Sequence, residues 1–342
     1  MRRPVERTRV FDATFYTVAD SGFFPGVVAL LNSLRLTGND APLVVVDAGL
    51  TVSQRSRLAK HTRLVPLPED SPLGPHAAKP YAARLQDAGV AVLIDSDMIV
   101  TTRLDPYVAR AQEGPICLFP DHRSARGRQR AEWSEVLGLR APLRRRTYMN
   151  SGFVCVSVDH QRDFLARWLE LSALIPVEQG FTTPAAPFYA LDQDVLNALI
   201  ASEVADDAVL ELPADEEVYW DELRNVEIVD PHTLQSTFRG GAPAILHYSF
   251  RPKPWERAAW VRVVDDAYVR LLPRVLFADD VELRLQPTEF PTWIRPGRGA
   301  RVVVRALDAG HRSVKAAIAA TPVPLRTRLL DLRHAFVRAV SR

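Results

Sequence analysis

Short unbroken apolar runs recur through the first third of the chain, each followed by a stretch with helical spacing. Phe11 to Val18, Leu43-Val44-Val45-Val46, Leu64 to Leu67 and Val90-Ala91-Val92-Leu93-Ile94 are the runs. Runs this short, rich in Val and Ile and lacking polar alternation, predict strands covered on both faces. Between the first two, Val27, Leu30, Leu31 and Leu34 recur at helical spacing, Pro25 suits the first turn, and Gly38-Asn39-Asp40 breaks the helix. Ser53 is read as the cap of a helix to about Lys60, and His76 to Asp87 as a further helix. Strand, helix, strand, helix, strand predicts a mostly parallel α/β sheet built by crossovers.

Beyond residue 97 the pattern loosens. Strands are expected at Ile116 to Phe119, Val154 to Val158, Val226 to Val229 and Ala244 to Tyr248. Helices are expected from Pro106, from Phe164 to Leu174, over Leu191 to Asn197, and from Trp255 to Leu272 with Pro254 in the first turn. Residues 121–147 form an irregular segment crowded with arginine (Arg123, Arg126, Arg128, Arg130, Arg140, Arg144, Arg145, Arg146), either a solvated loop or a surface for an anionic acceptor or lipid headgroup. Val302-Val303-Val304 reads as strand-like. Near the end, Leu325, Leu329, Leu332, Phe336, Val337 and Val340 share one helical face, with Arg326, Arg328, Arg333 and Arg338 around the rest. Such a face packs on a domain or lies on an anionic membrane.

Composition narrows the class. The 342 residues are 47% hydrophobic and 25% charged, as in an ordinary globular protein. The net charge of +2 is unevenly spread: residues 284–342 hold twelve Lys and Arg against three Asp and Glu. This asymmetry suggests an anionic partner, and nothing in the chain suggests nucleic acid. The two cysteines, Cys117 and Cys155, lie in apolar stretches and read as buried hydrophobes. No run reaches the ~18 apolar residues of a membrane span, and the start lacks a signal-peptide pattern, so the expected location is cytoplasmic, with peripheral membrane contact through the tail as a further expectation.

The candidate chemistry begins where the fourth run ends. Asp95 and Asp97 stand at i and i+2, so on a strand both would emerge on one side at its carboxyl end, where open α/β sheets bind ligands. Two hard oxygen donors suit a divalent cation carrying a diphosphate; two acids at a strand end also merely cap turns. Four stretches together resemble glycosyltransferase family 8. They are Leu93-Ile94-Asp95-Ser96-Asp97, Tyr148-Met149-Asn150-Ser151-Gly152-Phe153, Leu191-Asp192-Gln193-Asp194-Val195-Leu196-Asn197, and His247-Tyr248-Ser249-Phe250-Arg251-Pro252-Lys253-Pro254-Trp255. The last is similar to the signature His-x-x-Gly-x-x-Lys-Pro-Trp, with Phe250 in the glycine position.

The resemblance implies a GT-A fold over residues 8–275, followed by a basic extension over 276–342. It implies retaining transfer of a hexose, glucose or galactose, from a UDP-sugar to an unknown glycan, lipid or small-molecule acceptor, with Mn2+ or Mg2+. Asp95, Asp97 and His247 would be the metal ligands, and Lys253 would sit on the diphosphate leaving group, at the head of the helix expected after it. Asp192 and Asn150 would hold sugar hydroxyls, and Gln193 would stabilise an oxocarbenium-like centre. Val18, Ala19 and Asp20 would hold uracil and ribose, and Lys79, Arg84 and Ser96 would line the donor. The N-terminal strand and helix, through Asn32-Ser33-Leu34, look like the family's nucleotide-binding start. Phe250 leaves open a sugar-nucleotide-binding protein without transfer activity.

Overall fold

The computed structural model describes residues 12–68, 71, 73–75, 77–121, 130–176, 186–321 and 332. Its contacts fall into two units. The first comprises Met1–Phe24, Asn39–Ser96 and Arg103–Ala214, and the second Pro25–Gly38, Asp97–Thr102 and Asp215–Arg342.

The first unit contains β1 (Ala13–Ala19), β2 (Leu43–Asp47), β3 (Arg63–Pro66), β4 (Val90–Ile94), β6 (Ile116–Pro120), β7 (Met149–Ser157) and β8 (Val209–Glu211). They form one sheet in the order β3-β2-β1-β4-β7-β6-β8. Every pairing is parallel except those of β7, which runs against both β4 and β6. The sheet is mostly parallel, as the apolar runs predict. All five residues of β4 are fully buried, and each large side chain there contributes about 1.5–3 kcal/mol relative to exposure. Burial on both faces is why the sequence of β4 shows no alternation.

The same unit holds α2 (Val52–Leu58), α3 (Lys79–Ala83), α4 (Asp105–Gln112), α5 (Glu132–Leu137), α6 (Val158–Ser172) and α7 (Asp192–Ser202). Trp133 and Trp168 are fully buried, and each indole N–H finds a carbonyl, on Pro187 at 2.6 Å and Asp192 at 3.3 Å. The second bond ties α6 to the head of α7. The cap of α2 is Thr51 rather than Ser53. Its hydroxyl accepts from the Gln54 N–H while the Gln54 side chain accepts from the Thr51 N–H, a reciprocal Thr-x-x-Gln box. α3 covers only five residues of the helix expected over 76–87. After Arg84 the chain turns, and Gln86 is used to accept from the Tyr16 hydroxyl and donate to the Ala88 carbonyl, both at 2.6 Å.

Two arginines at the end of the arginine-rich segment are tied down, while Arg140 and Arg145 are exposed. Arg144 donates from its backbone to the Ala201 carbonyl at 2.8 Å and from its guanidinium to carbonyls at the end of α7, and Arg144 and Arg146 both pair with Asp206. These cations satisfy the open carbonyls of a helix C-terminus. Arg123, Arg126 and Arg128 lie outside the described residues. Cys117 and Cys155 face each other across β6 and β7 as free, buried thiols, and burial pushes that of Cys117 up to about 12.

The second unit holds α1 (Phe24–Leu36), β5 (Met98–Val100), β9 (Glu217–Tyr219), β10 (Glu227–Asp230), β11 (Gln235–Thr237), β12 (Ile245–His247), α8 (Ala267–Phe277) and α9 (Arg298–Ala320). β12 lies between β5, antiparallel, and β9, parallel, and β10 pairs with β11. Buried Asn32 of α1 donates to the Val275 and Leu283 carbonyls at 2.6 and 2.9 Å and accepts from the Leu283 N–H. Ser33 Oγ accepts from the Val100 N–H at 3.1 Å. Asn32 and Ser33 thus tie α1 to α8, to Leu283 and to β5.

Two expectations fail here. The helix read from Trp255 to Leu272 is a short 3-10 turn, Arg257–Val261, followed by a fresh start at Ala267. Valines 261, 263 and 264 resist helix, and the Asp266 side chain accepts from the Val269 N–H at 2.9 Å, capping α8. Val302-Val303-Val304 is helical within α9. Ala300, Val304 and Asp308 are its buried residues, spaced four apart, while Val302 is 66% exposed. Buried Asp308 pairs with Arg224 and Arg312. No helix of the described residues is long and apolar enough to cross a membrane. Of the tail face, all but Leu332 lies outside the described residues.

Candidate active site

In the first unit the chemistry gathers at the carboxyl end of β4. Asp95 follows the strand directly, and its N–H donates to the Gly152 carbonyl at 2.8 Å, fixing it beside β7. Buried Lys79, the first residue of α3, reaches Asp95 at 2.8 Å and Asp192 at 3.0 Å. Its ammonium also donates to the Ser151 carbonyl and hydroxyl at 3.1 and 3.2 Å. Burial works against the charge on Lys79, but Asp192 and Asp95 outweigh it and hold the group above the usual lysine range. Two carboxylates around one ammonium leave a net negative site at this end of the sheet.

The run from Asp192 to Asn197 divides its work by helical position. Asp192 and Gln193 carry polar groups into the cluster; Asp194 and Asn197 hold the scaffold. Asp194 accepts from the Tyr148 hydroxyl at 2.6 Å and the Ala190 N–H at 2.7 Å. Asn197 accepts from the Met149 N–H at 2.6 Å and donates to the Met149 carbonyl at 2.8 Å. Those bonds continue the ladder of β7 onto α7 and so place Asn150 and Ser151. Gln193 is the one residue of α7 that is not buried. Its carbonyl accepts from the Ser151 N–H at 3.2 Å, and its amide donates to Asp121 Oδ2 at 2.9 Å. The carbonyl keeps a second lone pair. Asn150 is buried and accepts from the Gly152 N–H.

The remaining first-unit candidates are placed as follows. Val18 and Ala19 end β1, and Asp20 follows, accepting from the Gly22 and Phe23 N–H groups at 2.8 and 3.1 Å in the turn before α1. Ser96 is buried after Asp95. Arg84, by contrast, caps the C-terminus of α3 with an exposed side chain. Lys79, not Arg84, is the cation that meets the two carboxylates.

In the second unit Asp97, His247, Glu217 and Lys253 are all buried together. His247 ends β12, where it lies opposite Met98 on β5 and Tyr219 on β9. Its Nε2 lies 3.4 Å from Asp97 Oδ1, and its Nδ1 lies 2.8 Å from Glu217 Oε1. Lys253 Nζ contacts the other Asp97 oxygen and donates to the Tyr248 carbonyl at 2.7 Å. The Tyr248 N–H in turn donates to the Asp97 carbonyl at 3.1 Å. Burial opposes ionisation of Asp97, but Lys253 and His247 hold its carboxyl well below the usual range. Burial likewise opposes charge on His247, and Asp97 with Glu217 lifts it to about 10. Lys253 is followed by the short 3-10 turn rather than the helix expected there, so no helix N-terminus adds to its charge.

Phe250 is half-buried. Its ring lies 4.4 Å from the Trp220 ring, centroid to centroid, with the Arg262 guanidinium carbon 4.3 Å from its centroid. Non-glycine residues with positive φ among those described are Leu191, Leu234 and Arg239, so the backbone at 250 does not require glycine.

Sequence reading overlooked two buried acids, Asp121 and Glu217. Asp121 had a signal, since it follows the apolar run of β6 as Asp95 follows β4. Glu217 had none, because β9 is three residues long.

No protein-family profile matches the chain, and no curated protein matches it in sequence. Solved structures do resemble it. An active-site variant of LgtC superposes with a TM-score of 0.51, covering 78% of this chain and 98% of its own at 16% identity. The galactosyltransferase LgtC in complex with donor and acceptor sugar analogues gives 0.45 over the same shares at 15% identity. The bifunctional glycosyltransferase WbbM gives 0.49 at 15% identity, covering 78% of this chain and 50% of its own. At such identities the likeness is one of fold. The chain has the fold of LgtC, a GT-A-type α/β fold, which is the fold its four motifs imply.

Proposed function

We propose that this protein is a retaining glycosyltransferase that moves a hexose, glucose or galactose, from a UDP-sugar to an acceptor hydroxyl. The observation that carries the reading is the Lys79–Asp95–Asp192 cluster at the carboxyl end of β4, with Gln193 fixed beside it. A polar site of this kind, anchored on strand ends, suits a ligand dense in hydroxyls that must be held by directional donors and acceptors.

Asp95, Asp97 and His247 are assigned as ligands of Mn2+ or Mg2+. Asp95 leads into Asp97 by two residues of chain, and the buried Asp97–His247 pair, with an imidazole nitrogen 3.4 Å from a carboxylate oxygen, supports the fit. Two carboxylates and one imidazole are a donor set that Mn2+ accepts. When bound, such an ion supplies charge stabilisation to the diphosphate oxygens of the donor.

The rest falls to the chain's own groups. Lys253, on release from Asp97, would neutralise the leaving diphosphate as a point charge. Asp192 and Asn150 would hold the sugar hydroxyls, and Lys79 would carry donor-side positive charge together with Arg84, the residue that resembles a donor-contacting arginine of the family. The free lone pair of Gln193 would face positive charge developing at the anomeric carbon, because an amide is a feeble nucleophile and a better dipole. Val18, Ala19, Asp20 and Ser96 would line the nucleoside and diphosphate.

Screening UDP-sugars for Mn2+-dependent UDP release tests the reading. Asp95→Asn and Asp97→Asn are each expected to abolish release while the protein stays folded, Asp97→Asn at a lower melting temperature because it strands the buried Lys253 ammonium. Unchanged release in either variant sinks the metal assignment. UDP binding without release of UDP from any UDP-sugar would mark a donor-binding protein instead.

A further inference from the structure

Glu217 belongs to none of the four motifs, yet its side chain is 0% exposed. A buried carboxylate is tolerated when its oxygens find partners, and here both do. Oε1 faces His247 Nδ1 at 2.8 Å, and Oε2 accepts from the Tyr219 hydroxyl at 3.1 Å. β9 runs parallel to β12 with Tyr219 opposite His247, so Glu217 and Tyr219, two residues apart, share a face of β9. The Tyr219 ring lies 5.5 Å from the imidazole, centroid to centroid. Between them the two side chains fix the rotation of the His247 ring, and the nitrogen left facing Asp97 is Nε2, at 3.4 Å.

We infer that Glu217 is the positioning residue of the cation site: it holds the Nδ1–H of His247, reserves Nε2 for a divalent cation, and is itself steadied by Tyr219. The inference rests on the assignment of Asp97 and His247 as cation ligands under the proposed function. Metal-bound histidines commonly donate their second N–H to a carboxylate, which sets the tautomer and raises ligand basicity. Tying β9 to β12 is a weaker account of the pair, because the ladder from Ile245 and Glu217 to His247 and Tyr219 already joins those strands.

The test uses the full chain with Mn2+ alone as the probe. Calorimetry should show Glu217→Ala binding Mn2+ roughly 10–100-fold more weakly than the parent. Glu217→Gln, whose amide oxygen still accepts the Nδ1–H, should recover most of that loss. In the metal-free protein, nitrogen-edited NMR should show a hydrogen-bonded Nδ1–H on His247, assigned by its disappearance in His247→Asn and lost in Glu217→Ala. A folded Glu217→Ala with parental Mn2+ affinity overturns the inference and leaves the proposed function standing. If that variant does not fold, absence of the Nδ1–H in the parent, or a loss of Mn2+ affinity of roughly 10–100-fold in a folded Glu217→Gln, overturns it. A parent that binds no Mn2+, with or without UDP, overturns the metal assignment and this inference with it.

Discussion

Phe250→Gly restores the residue that the resembling signature carries, and the structure gives its cost. The ring stacks on Trp220 at 4.4 Å with 32° between planes, and Arg262 lies over it at 4.3 Å. An aromatic pair of this kind contributes about 0.5–1.5 kcal/mol, and a cation over a partly exposed ring about 0.5–1 kcal/mol. Glycine adds an unfolded-state entropy cost of about 0.5–1 kcal/mol. The variant should therefore lose about 1.5–3.5 kcal/mol. That is less than the ~3–5 kcal/mol of a fully buried phenylalanine, because this ring is half in water. Urea unfolding followed by tryptophan fluorescence measures it, and Phe250→Ala separates the ring from the backbone term. UDP release should not accelerate, since the ring's contacts are with Trp220 and Arg262. A Phe250→Gly protein as stable as the parent, and faster, would refute this and cast the ring as an obstruction.

Gln193→Ala should lower turnover far more than UDP affinity, because its assigned partner is charge on the sugar; a fall in melting temperature alone would reduce Gln193 to a brace between Ser151 and Asp121. Lys79→Met strands Asp95 and Asp192 without their shared cation and should cost about 3–5 kcal/mol; a parental melting temperature would refute the pairing. Asp266 gives a pH test: burial raises its carboxyl from 3.8 to about 7, and among the described residues its Oδ2 has no hydrogen-bond partner. For an acid raised in the folded state, stability falls as pH climbs from the unfolded to the folded value. The advantage of Asp266→Asn over the parent should thus grow by about 2–3 kcal/mol between pH 5 and pH 8, and a difference independent of pH would refute it.

What the sequence made legible was whatever a single stretch could encode. β1, β2, β4 and β6 are apolar runs buried on both faces, and no other element satisfies such a run at that length. The errors lie where a local pattern competed with a partner far along the chain. Three valines in a row suggest a strand, yet α9 forms because Ala300, Val304 and Asp308 are buried at helical spacing and Arg224 waits for the carboxylate. The helix after Trp255 looked continuous until Asp266 took the Val269 N–H and restarted it. Strands β5 and β9, three residues each, are too short to show a period at all.

The candidate site divides along the same line. Asp95, Asp97 and Asp192 were visible because each sits at the end or start of an element whose pattern is strong. Their electrostatic state was not, because it is set by Lys79 and Lys253, which arrive from 16 residues before Asp95 and 156 residues after Asp97. Each aspartate of the Asp-Ser-Asp run therefore already holds an ammonium before any cation or diphosphate enters. A divalent ion taking Asp97 must share it with Lys253 or release that lysine, and a released buried ammonium demands an anion in its place. Metal and nucleotide binding should then be mutually favourable, each strengthening the other by the same factor. Removing the lysine should uncouple them. Lys253→Met is expected to bind Mn2+ alone more tightly than the parent, while losing the gain in Mn2+ affinity that UDP brings. Parental coupling in that variant would mean that the contact with Asp97 has no part in binding.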